Sequence, residues 1–211
     1  MHAVVDRPLT DVVEGRLVKI MKLTITSDIG LEGPEKSGYI TWLDVRVSEG
    51  KETFAHARVA LVHVGEISDA AGDIYPALRG TALEAVHDVY FNQGWYSEEF
   101  AEGAGIDLLY VESVCVDESW RGKNLDLAIV RRLCDTLGSG CQLAVMPYAS
   151  ALTAASWSRL GFTVSTPGRP SGLMHMKLGY RHARVEATAN GAFEVHPIHE
   201  ATLNAARSTA N

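Results

Sequence analysis

The stretch that decides the fold runs Ser113-Val114-Cys115-Val116-Asp117-Glu118-Ser119-Trp120-Arg121-Gly122-Lys123-Asn124-Leu125-Asp126. An apolar strand ends in a short polar turn, and a helix with one apolar face begins directly after it. The first turn of a helix carries unpaired N–H groups and the positive end of the helix dipole. Gly122 lets the backbone approach a ligand closely, and Arg121 and Lys123 add positive charge. This turn therefore suits a phosphate or a diphosphate.

The chain on either side of this stretch alternates between strands and helices. Turn residues and apolar periodicity predict a loop over Ser27–Ser37 and a hairpin around Gly50. The predicted strands are Leu17–Thr26, Tyr39–Ser48, Thr53–Ile67, Ile106–Val116, Cys141–Met146 (stopped by Pro147) and Leu173–Leu178; the predicted helices are Asp73–Tyr90, Asn124–Leu137 and Ala151–Leu160. From Ile106 onward the order is strand, helix, strand, helix, strand. That order favours an α/β sheet with some parallel pairing.

Length and composition indicate one globular domain. The chain has 211 residues, of which 46% are hydrophobic and 21% are charged, and neither a repeat nor a linker divides it. We expect an N-terminal extension over 1–16, one domain over 17–180 and a C-terminal tail over 181–211. The tail has few large apolar residues and is expected to pack on the surface or to be partly mobile.

Charge and cysteine usage exclude several classes of function. Lysine and arginine total 19 against 26 acidic residues, so the net charge of −7 argues against nucleic-acid binding. No apolar run approaches the ~20 residues of a membrane helix, and the N-terminus lacks the pattern of a secretion signal. Cys115, Cys134 and Cys141 lie in apolar segments without metal-ligand spacing. We therefore expect reduced core cysteines, no metal site, no membrane contact and a cytoplasmic location.

Two motifs resemble those of the GNAT acetyltransferase superfamily. Asp117-Glu118-Ser119-Trp120-Arg121-Gly122-Lys123 is similar to the coenzyme A pyrophosphate loop of that family. Ser156-Trp157-Ser158-Arg159-Leu160-Gly161-Phe162 is similar to its helix-to-strand signature. The resemblance covers about Ile106 to Leu178. In the first hundred residues it extends only to strands and a hairpin, because the paired helices usual after the first strand are not evident.

The resemblance implies a fold and a cofactor. The fold is a mixed, mostly antiparallel sheet, flanked by helices and splayed open between two central parallel strands, Ile106–Val116 and Cys141–Met146. Acetyl-CoA lies in the resulting gap as the acyl donor. Its pantetheine arm pairs with backbone near Val114, Cys115 and Val116, and its pyrophosphate binds the amides of Arg121, Gly122, Lys123, Asn124, Leu125 and Asp126. Ser150 stands where relatives often carry an asparagine that contacts the cofactor.

The implied reaction is direct attack of an amine on the thioester, which needs positioning and a route for one proton. Glu112 is the candidate base because it lies on the strand lining the cofactor, at a position where some relatives carry an acid. Strand alternation puts Val111 and Ser113 on the face opposite Glu112 unless a bulge intervenes. A solvated carboxylate on the sheet face is the alternative. Tyr148, just past the short strand, is the candidate acid, because Trp157 replaces the tyrosine of many relatives and indole has no acidic proton.

Departures from the family pattern leave two further hypotheses open. Asn124 stands where the family loop usually carries glycine. Asp126 stands where it usually carries glycine or alanine. A carboxylate about 4 Å from a bound anion costs roughly 1 to 4 kcal/mol, depending on the local dielectric. A non-catalytic GNAT-like binding or regulatory protein with a degenerate coenzyme A site is therefore the second hypothesis. A different α/β protein that binds another phosphate ligand at Arg121–Lys123 is the third.

The motifs do not specify the acceptor amine, because its pocket would be formed by the divergent first half of the chain. Small amines, antibiotics, protein N-termini and lysine side chains all remain open as acceptors. A homodimer, formed through the tail, is a further possibility.

Overall fold

The computed structural model describes residues 5–8, 21–27, 39–66, 78–92, 95–103, 105–168 and 172–198. Eight strands form the central sheet in the order β1-β2-β3-β4-β7-β8-β10-β9. Their bounds are β1 Val5–Pro8, β2 Lys22–Thr26, β3 Ile40–Glu49, β4 Glu52–Val62, β7 Asp107–Val116, β8 Cys141–Tyr148, β9 Thr163–Val164 and β10 Gly172–Lys177. Two separate hairpins are β5 Phe91–Asn92 with β6 Trp95–Tyr96, and β11 Arg184–Ala187 with β12 Phe193–His196.

Neighbouring strands of the central sheet run antiparallel, with one exception. The exception is β7 with β8, which are parallel and lie at the centre of the order. The crossover between them is the helix α2, Leu125–Leu137. The predicted fold class, a mixed and mostly antiparallel sheet with a central parallel pair, is confirmed.

Helices cover both faces of the sheet. α2 and the shorter α3, Ala151–Ser158, bury apolar side chains in a core with the inward residues of β2, β3 and β4. On the opposite face, α1, Glu84–Tyr90, packs with the aromatic residues of the β5–β6 hairpin over the first half of β7 and the middle of β8. A strand buried on both sides needs apolar residues at successive positions, and Leu108 to Val111 of β7 satisfy this. The sheet therefore separates two apolar cores.

Several predicted boundaries are wrong, among them the end of the strand predicted over Thr53–Ile67, because β4 ends at Val62 and a 3-10 turn follows at Val64–Glu66. The helix predicted over Asp73–Tyr90 is not continuous: Gly80 takes φ +76° in a turn, and α1 begins only at Glu84. Residues 73–77 of that prediction lie outside the described residues. Pro147 does not stop β8, which runs on to Tyr148 with Pro147 opposite Leu173 of β10. Because β8 has no β7 partner past Val145, the missing N–H of Pro147 breaks no hydrogen bond on that side.

The ends of the chain contribute strands that the sequence pattern does not predict. β1 pairs with β2 at one edge of the sheet, and the β11–β12 hairpin packs against α2. Phe193 and Val195 of this hairpin are buried in the core of the α2 face. The division into extension, domain and tail stays a prediction. No helix within the described ranges is both long and apolar enough to cross a membrane.

Candidate active site

A gap opens between the two parallel strands. β7 and β8 pair from Asp107 opposite Cys141 up to Tyr110 opposite Val145, and the pairing ends there. β7 nevertheless continues to Val116 and β8 to Tyr148. On its other edge β7 stays paired with β4 as far as Val116 opposite Ala55. The backbone of β7 beyond Tyr110 therefore has an edge toward β8 that carries no strand partner in the described part of the chain.

A β-bulge lies at Glu112, where the gap begins. Val111 is opposite Val59 and Ser113 is opposite Arg58, so Glu112 has no partner in β4. A bulge resets the alternation of side chains along a strand. This bulge is the stated exception to the alternation, so Val111 and Ser113 do not share a face: Val111 is buried in the core with α2, whereas Ser113 lies on the other face with Arg58.

The same reset corrects the prediction for one cysteine. Cys115 is exposed, opposite His56 of β4, although it lies in an apolar stretch of sequence. Val114 and Val116 alternate with it and pack against the α2 core. Cys134 and Cys141 are buried as expected, and burial raises the pKa of the Cys141 thiol to about 12. Cys115 is therefore the accessible thiol among the three.

Glu112 forms an ion pair with Arg58. Its Oε2 atom is 3.4 Å from Nε of Arg58, and the guanidinium of Arg58 stacks over the ring of Trp42 at 4.7 Å. Arg58 also borders a shallow depression of about 260 Å³ on this face of the sheet. The other polar residues around the depression are Asp44, Arg46, His56, Ser113 and Cys115. The side chain of Glu112 is 28% exposed, so solvent reaches the carboxylate beside a polar surface.

The loop after β7 is built from tight turns. Asp117 N–H donates to Phe54 O, and Trp120 N–H donates to Asp117 O in a short 3-10 turn. Gly122 takes φ +75°, a conformation that strongly favours glycine. Nζ of Lys123 lies 4.5 Å from the Trp120 ring centre. Arg121, 70% exposed, lies 3.8 Å from the carboxylate of Glu118, which is 91% exposed, and an ion pair this exposed holds it only weakly.

The start of α2 leaves backbone donors without acceptors. The first bond of the helix runs from Ala128 N–H to Asn124 O at 3.1 Å. Within the described residues, no acceptor is bonded to the N–H groups of Gly122, Asn124, Leu125, Asp126 or Leu127. Leu125 and Leu127 are fully buried, whereas the other three residues reach solvent. An anion at this helix start would meet accessible donors and the positive end of the helix dipole.

Asp126 does not close this helix start. It lies in the first turn of α2 and is half-buried, but in the described region its carboxylate accepts no hydrogen bond from the free N–H groups. An acidic residue in the first turn also stabilises the helix through the dipole by about 0.3–1 kcal/mol. Asp126 therefore leaves the donors open, although it adds negative charge beside them.

Asn124 connects the loop to two distant segments. Its backbone is left-handed, with φ 55° and ψ 28°, and it is the only described non-glycine residue with positive φ. Its Nδ2 atom donates to Phe193 O at 2.6 Å, and its Oδ1 atom accepts from Nη1 of Arg159 at 3.0 Å. Phe193 N–H also donates to Lys123 O at 2.8 Å. The loop is thus clamped by the β11–β12 hairpin and by the end of α3.

No local sequence pattern points to Phe193 or Arg159 for this role. Arg159 stands inside the second motif but was not assigned a function, and Phe193 lies in the predicted tail. The dipeptide Asn190-Gly191, with Gly191 at φ +79° in the turn of the hairpin, is a hairpin signal that could have revealed the segment.

Tyr148 and Ser150 both have other partners. The hydroxyl of Tyr148 donates to Thr166 O at 3.2 Å, and a side-chain atom at Gly172 of β10 would collide with its ring. Tyr148 therefore leans toward β10 rather than toward β7. Ser150 caps α3: its hydroxyl accepts from Thr153 N–H, and Thr153 Oγ1 accepts from Ser150 N–H in return. The roles expected for both residues stay predictions.

Trp157 has a packing role in the structure. Trp157 is buried in the core under α3, as its bulk predicts. Among the described residues, no three histidine, cysteine, aspartate or glutamate side chains gather in a way that could hold a metal ion. The loop, the gap and Glu112 are therefore the elements around which chemistry can be argued.

Comparison with known proteins gives matches at the level of structure. No protein-family model and no curated protein sequence matches the chain. A Drosophila melanogaster polyamine N-acetyltransferase that forms N-acetylagmatine matches with 14% identity and a TM-score of 0.41, over 64% of this chain and 74% of its own. An agmatine N-acetyltransferase in an apo form matches with 16% identity and a TM-score of 0.41, over 64% of this chain and 75% of its own. The protein SsHAT matches with 14% identity and a TM-score of 0.39, over 65% of this chain and 73% of its own. Likenesses this distant concern the fold, so the function must be argued from the residues of this chain.

Proposed function

We propose that this protein is an N-acyltransferase that moves an acetyl group from acetyl-CoA to an amine. The observation that carries the proposal is the row of unpaired N–H groups at the start of α2, directly beyond the strand edge that borders the gap. A diphosphate needs several donors and a positive field at one place, and a helix start after a strand supplies both. The two sequence motifs fall on this loop and on α3, on either side of the same opening.

The residues present fit a coenzyme A diphosphate. The accessible N–H groups of Gly122, Asn124 and Asp126 would hold it, and Arg121 and Lys123 would balance its charge. The free edge of β7 at Val114, Cys115 and Val116 would bind the pantetheine arm through backbone groups, as an added strand does. Acetyl-CoA, when bound, supplies the acetyl group as an activated thioester. In this proposal Ser150 acts by fixing the first turn of α3, since its hydroxyl caps the helix.

Glu112 is the group that takes the proton from the amine acceptor. It sits at the bulge where the gap begins, and solvent reaches it beside the polar depression next to Arg58. A base placed within reach of the reacting nitrogen typically contributes about 10²–10⁴-fold to the rate. Arg58, whose Nε is 3.4 Å from the Glu112 carboxylate, keeps that carboxylate oriented. Tyr148 could return a proton to the departing thiolate only after its bond to Thr166 O breaks.

Binding of acetyl-CoA to the purified protein tests the cofactor assignment. A ligand that binds only the folded state raises the melting temperature, and at 100 times Kd the gain is about 2.7 kcal/mol. We expect such a shift with millimolar acetyl-CoA. Lys123→Ala should weaken it, whereas the matched variant Lys51→Ala, in the β3–β4 turn, should bind like the wild type. Absence of any shift would remove the proposed function.

Transfer itself needs a second measurement, because binding alone would also fit a non-catalytic protein. Release of the coenzyme A thiol is followed with a panel of amines: a polyamine, agmatine, a peptide with a free N-terminus and a lysine peptide. Turnover with at least one of these supports an acyltransferase. Tight binding without turnover on any amine would instead favour a protein that keeps the cofactor site without catalysis.

A further inference from the structure

A cavity of about 470 Å³ lies away from the gap, at the edge of the sheet. It is enclosed by the end of α3, the end of β10 and the segments Tyr180–Ala183 and Pro197–Ile198. Leu160, Met176 and Ala183 give it a buried apolar floor. We refer to it as the basic cavity. Its size falls in the range of about 300–1,000 Å³ found for small-molecule sites.

The charged side chains that line the basic cavity are all basic, although Glu99 and Asp135 lie close enough to act on its two histidines. Arg159, Lys177 and Arg181 line it, and no aspartate or glutamate is among its described lining residues. No carboxylate of the described chain pairs with any of these three side chains; Arg159 donates only to the neutral amide of Asn124. Three unpaired cations in one concave site are unexpected on a chain with a net charge of −7. Such a site attracts anions.

The two histidines of the basic cavity do not add charge at neutral pH. Burial lowers the pKa of His175 and of His182 below the usual 6.5. His182 Nε2 is bonded to Leu178 O at 3.1 Å, and His175 is bonded to the hydroxyls of Ser165 and Thr163. The positive field therefore comes from the arginines and the lysine.

The basic cavity is distinct from the proposed coenzyme A site, although Arg159 also donates a hydrogen bond to Asn124 of the diphosphate loop. Lys177 lies opposite Leu143, near the start of β8, whereas β7 and β8 separate only after Val145 and toward the other end of β8. One wall, Tyr180–Ala183 and Pro197–Ile198, belongs to the chain beyond the central sheet. The residues that would hold the diphosphate do not line it.

We propose that the basic cavity binds a small organic anion whose carboxylate or phosphate group is held by Arg159, Lys177 and Arg181. The apolar part of the ligand lies on Leu160 and Met176, beside the exposed ring of Tyr180. Charged hydrogen bonds to arginine suit planar or tetrahedral oxyanions, and the apolar floor favours an organic body over a bare inorganic ion. This site does not depend on the proposed transferase activity.

Calorimetric titration with three ligands that share one ring tests this proposal. Phenyl phosphate and phenylacetate carry the two anionic groups, and benzyl alcohol is the neutral analogue. The titrations are made without coenzyme A, which is itself an organic phosphate, and are repeated with Lys123→Ala, whose affinity for the anions should be unchanged if they bind in the cavity. We expect one or both anions to bind more tightly than the alcohol. The tighter of the two identifies the head group that the cavity prefers.

Charge reversal supplies the matched comparison. Lys177→Glu and Arg181→Glu should each weaken the anion about tenfold, because a favourable charge contact becomes a repulsive one. Lys51→Glu and Arg79→Glu make the same change on exposed residues that do not line the cavity and should bind like the wild type. Lys177→Gln and Arg181→Gln should weaken binding less, and they replace the charge-reversal variants if those do not fold. Equal binding of anion and alcohol, or unchanged binding in both reversal variants, overturns the proposal.

Discussion

Asn124 shows why a residue that departs from a family pattern can still fit the geometry of the loop. The backbone at this position is left-handed, which is the reason for expecting glycine there. Asparagine tolerates this conformation better than most residues do. Its side chain also connects Phe193 and Arg159, which glycine could not do. Asparagine therefore suits both the backbone conformation and the contacts at this position.

The first prediction compares two substitutions at this position. Asn124→Ala loses the side-chain bonds and strains a left-handed residue, so we expect a loss of about 2–3 kcal/mol in the free energy of unfolding. Asn124→Gly loses the same bonds but keeps the backbone relaxed, so the loss should be about 1–2 kcal/mol. Urea unfolding measures both. Equal stability of the alanine variant and the wild type would contradict the left-handed clamp.

The second prediction concerns Glu112 and rests on the proposed transferase function. Glu112→Gln should lower kcat by about 100-fold or more, because glutamine cannot accept the proton of the acceptor. The unfolding free energy should change by only about 0–1 kcal/mol, since the partner Arg58 is largely exposed. Steady-state kinetics with acetyl-CoA and an accepted amine give the first value, and urea unfolding gives the second. Arg58→Gln is the control; it should preserve more activity than Glu112→Gln does, and an unchanged kcat in Glu112→Gln removes Glu112 as the base.

At the scale of elements, the β11–β12 hairpin is more than a surface appendage. Phe193 is buried in the α2 core, and both its N–H and its carbonyl bond to the loop. The third prediction is that Phe193→Ala costs about 3–5 kcal/mol of unfolding free energy, as large aromatic deletions in cores do. It should also weaken acetyl-CoA binding, because a hairpin without its buried ring holds the backbone atoms of residue 193 less firmly against the loop.

Glu194 provides the control for this third prediction, since it is exposed on the same strand. Glu194→Ala should leave both the stability and the acetyl-CoA affinity close to wild type, as measured by thermal unfolding and by titration. A Phe193→Ala protein that is destabilised yet binds acetyl-CoA with unchanged affinity would show that the hairpin does not order the loop.

The sequence predicted the elements whose apolar pattern extends over many residues and missed those whose pattern is only a few residues long. α2 and β7 have apolar patterns of ten or more residues, and both were found near their predicted bounds. The hairpin strands have four residues each, too few for a pattern to stand out. The break at Gly80 was missed because the apolar spacing continues across it.

The same contrast holds for the site. The residues of the β7–α2 loop are contiguous, so a single motif places them together. Arg58, Arg159 and Phe193 come from strand pairing and from packing between distant segments, which no local pattern contains. The bulge at Glu112 also depends on the register with β4. It is this register that exposes Cys115, which the sequence alone assigned to the core.

At the scale of the whole molecule, the two apolar cores pack on opposite faces of one sheet. Two histidines at the margin of this sheet, His175 and His182, make the free energy of unfolding depend on pH. His175 and His182 have lowered pKa values because burial disfavours their charged forms. The unfolded chain therefore binds more protons than the folded chain below the usual value of 6.5. Their contribution to stability is present above that pH and is lost as the pH falls toward the folded-state pKa values.

The fourth prediction follows from this sign. The free energy of unfolding should decrease on acidification below 6.5. The decrease should be smaller in His175→Gln, which removes one of the two groups. Urea unfolding at a series of pH values, with the wild type and the variant in parallel, measures the difference. Curves of identical shape would show that His175 does not titrate differently in the two states.

The two hydrogen bonds of the Asn124 side chain have a consequence for which residues this position accepts during evolution. Three parts of the chain, far apart in sequence, meet at one side chain, so a change at position 124 alone removes a donor from a carbonyl of the hairpin and an acceptor from the exposed guanidinium of Arg159. Glycine becomes acceptable there once the hairpin is absent. Among descendants of a common ancestor, asparagine at this position should therefore accompany the longer C-terminus, and glycine should accompany chains that end soon after β10.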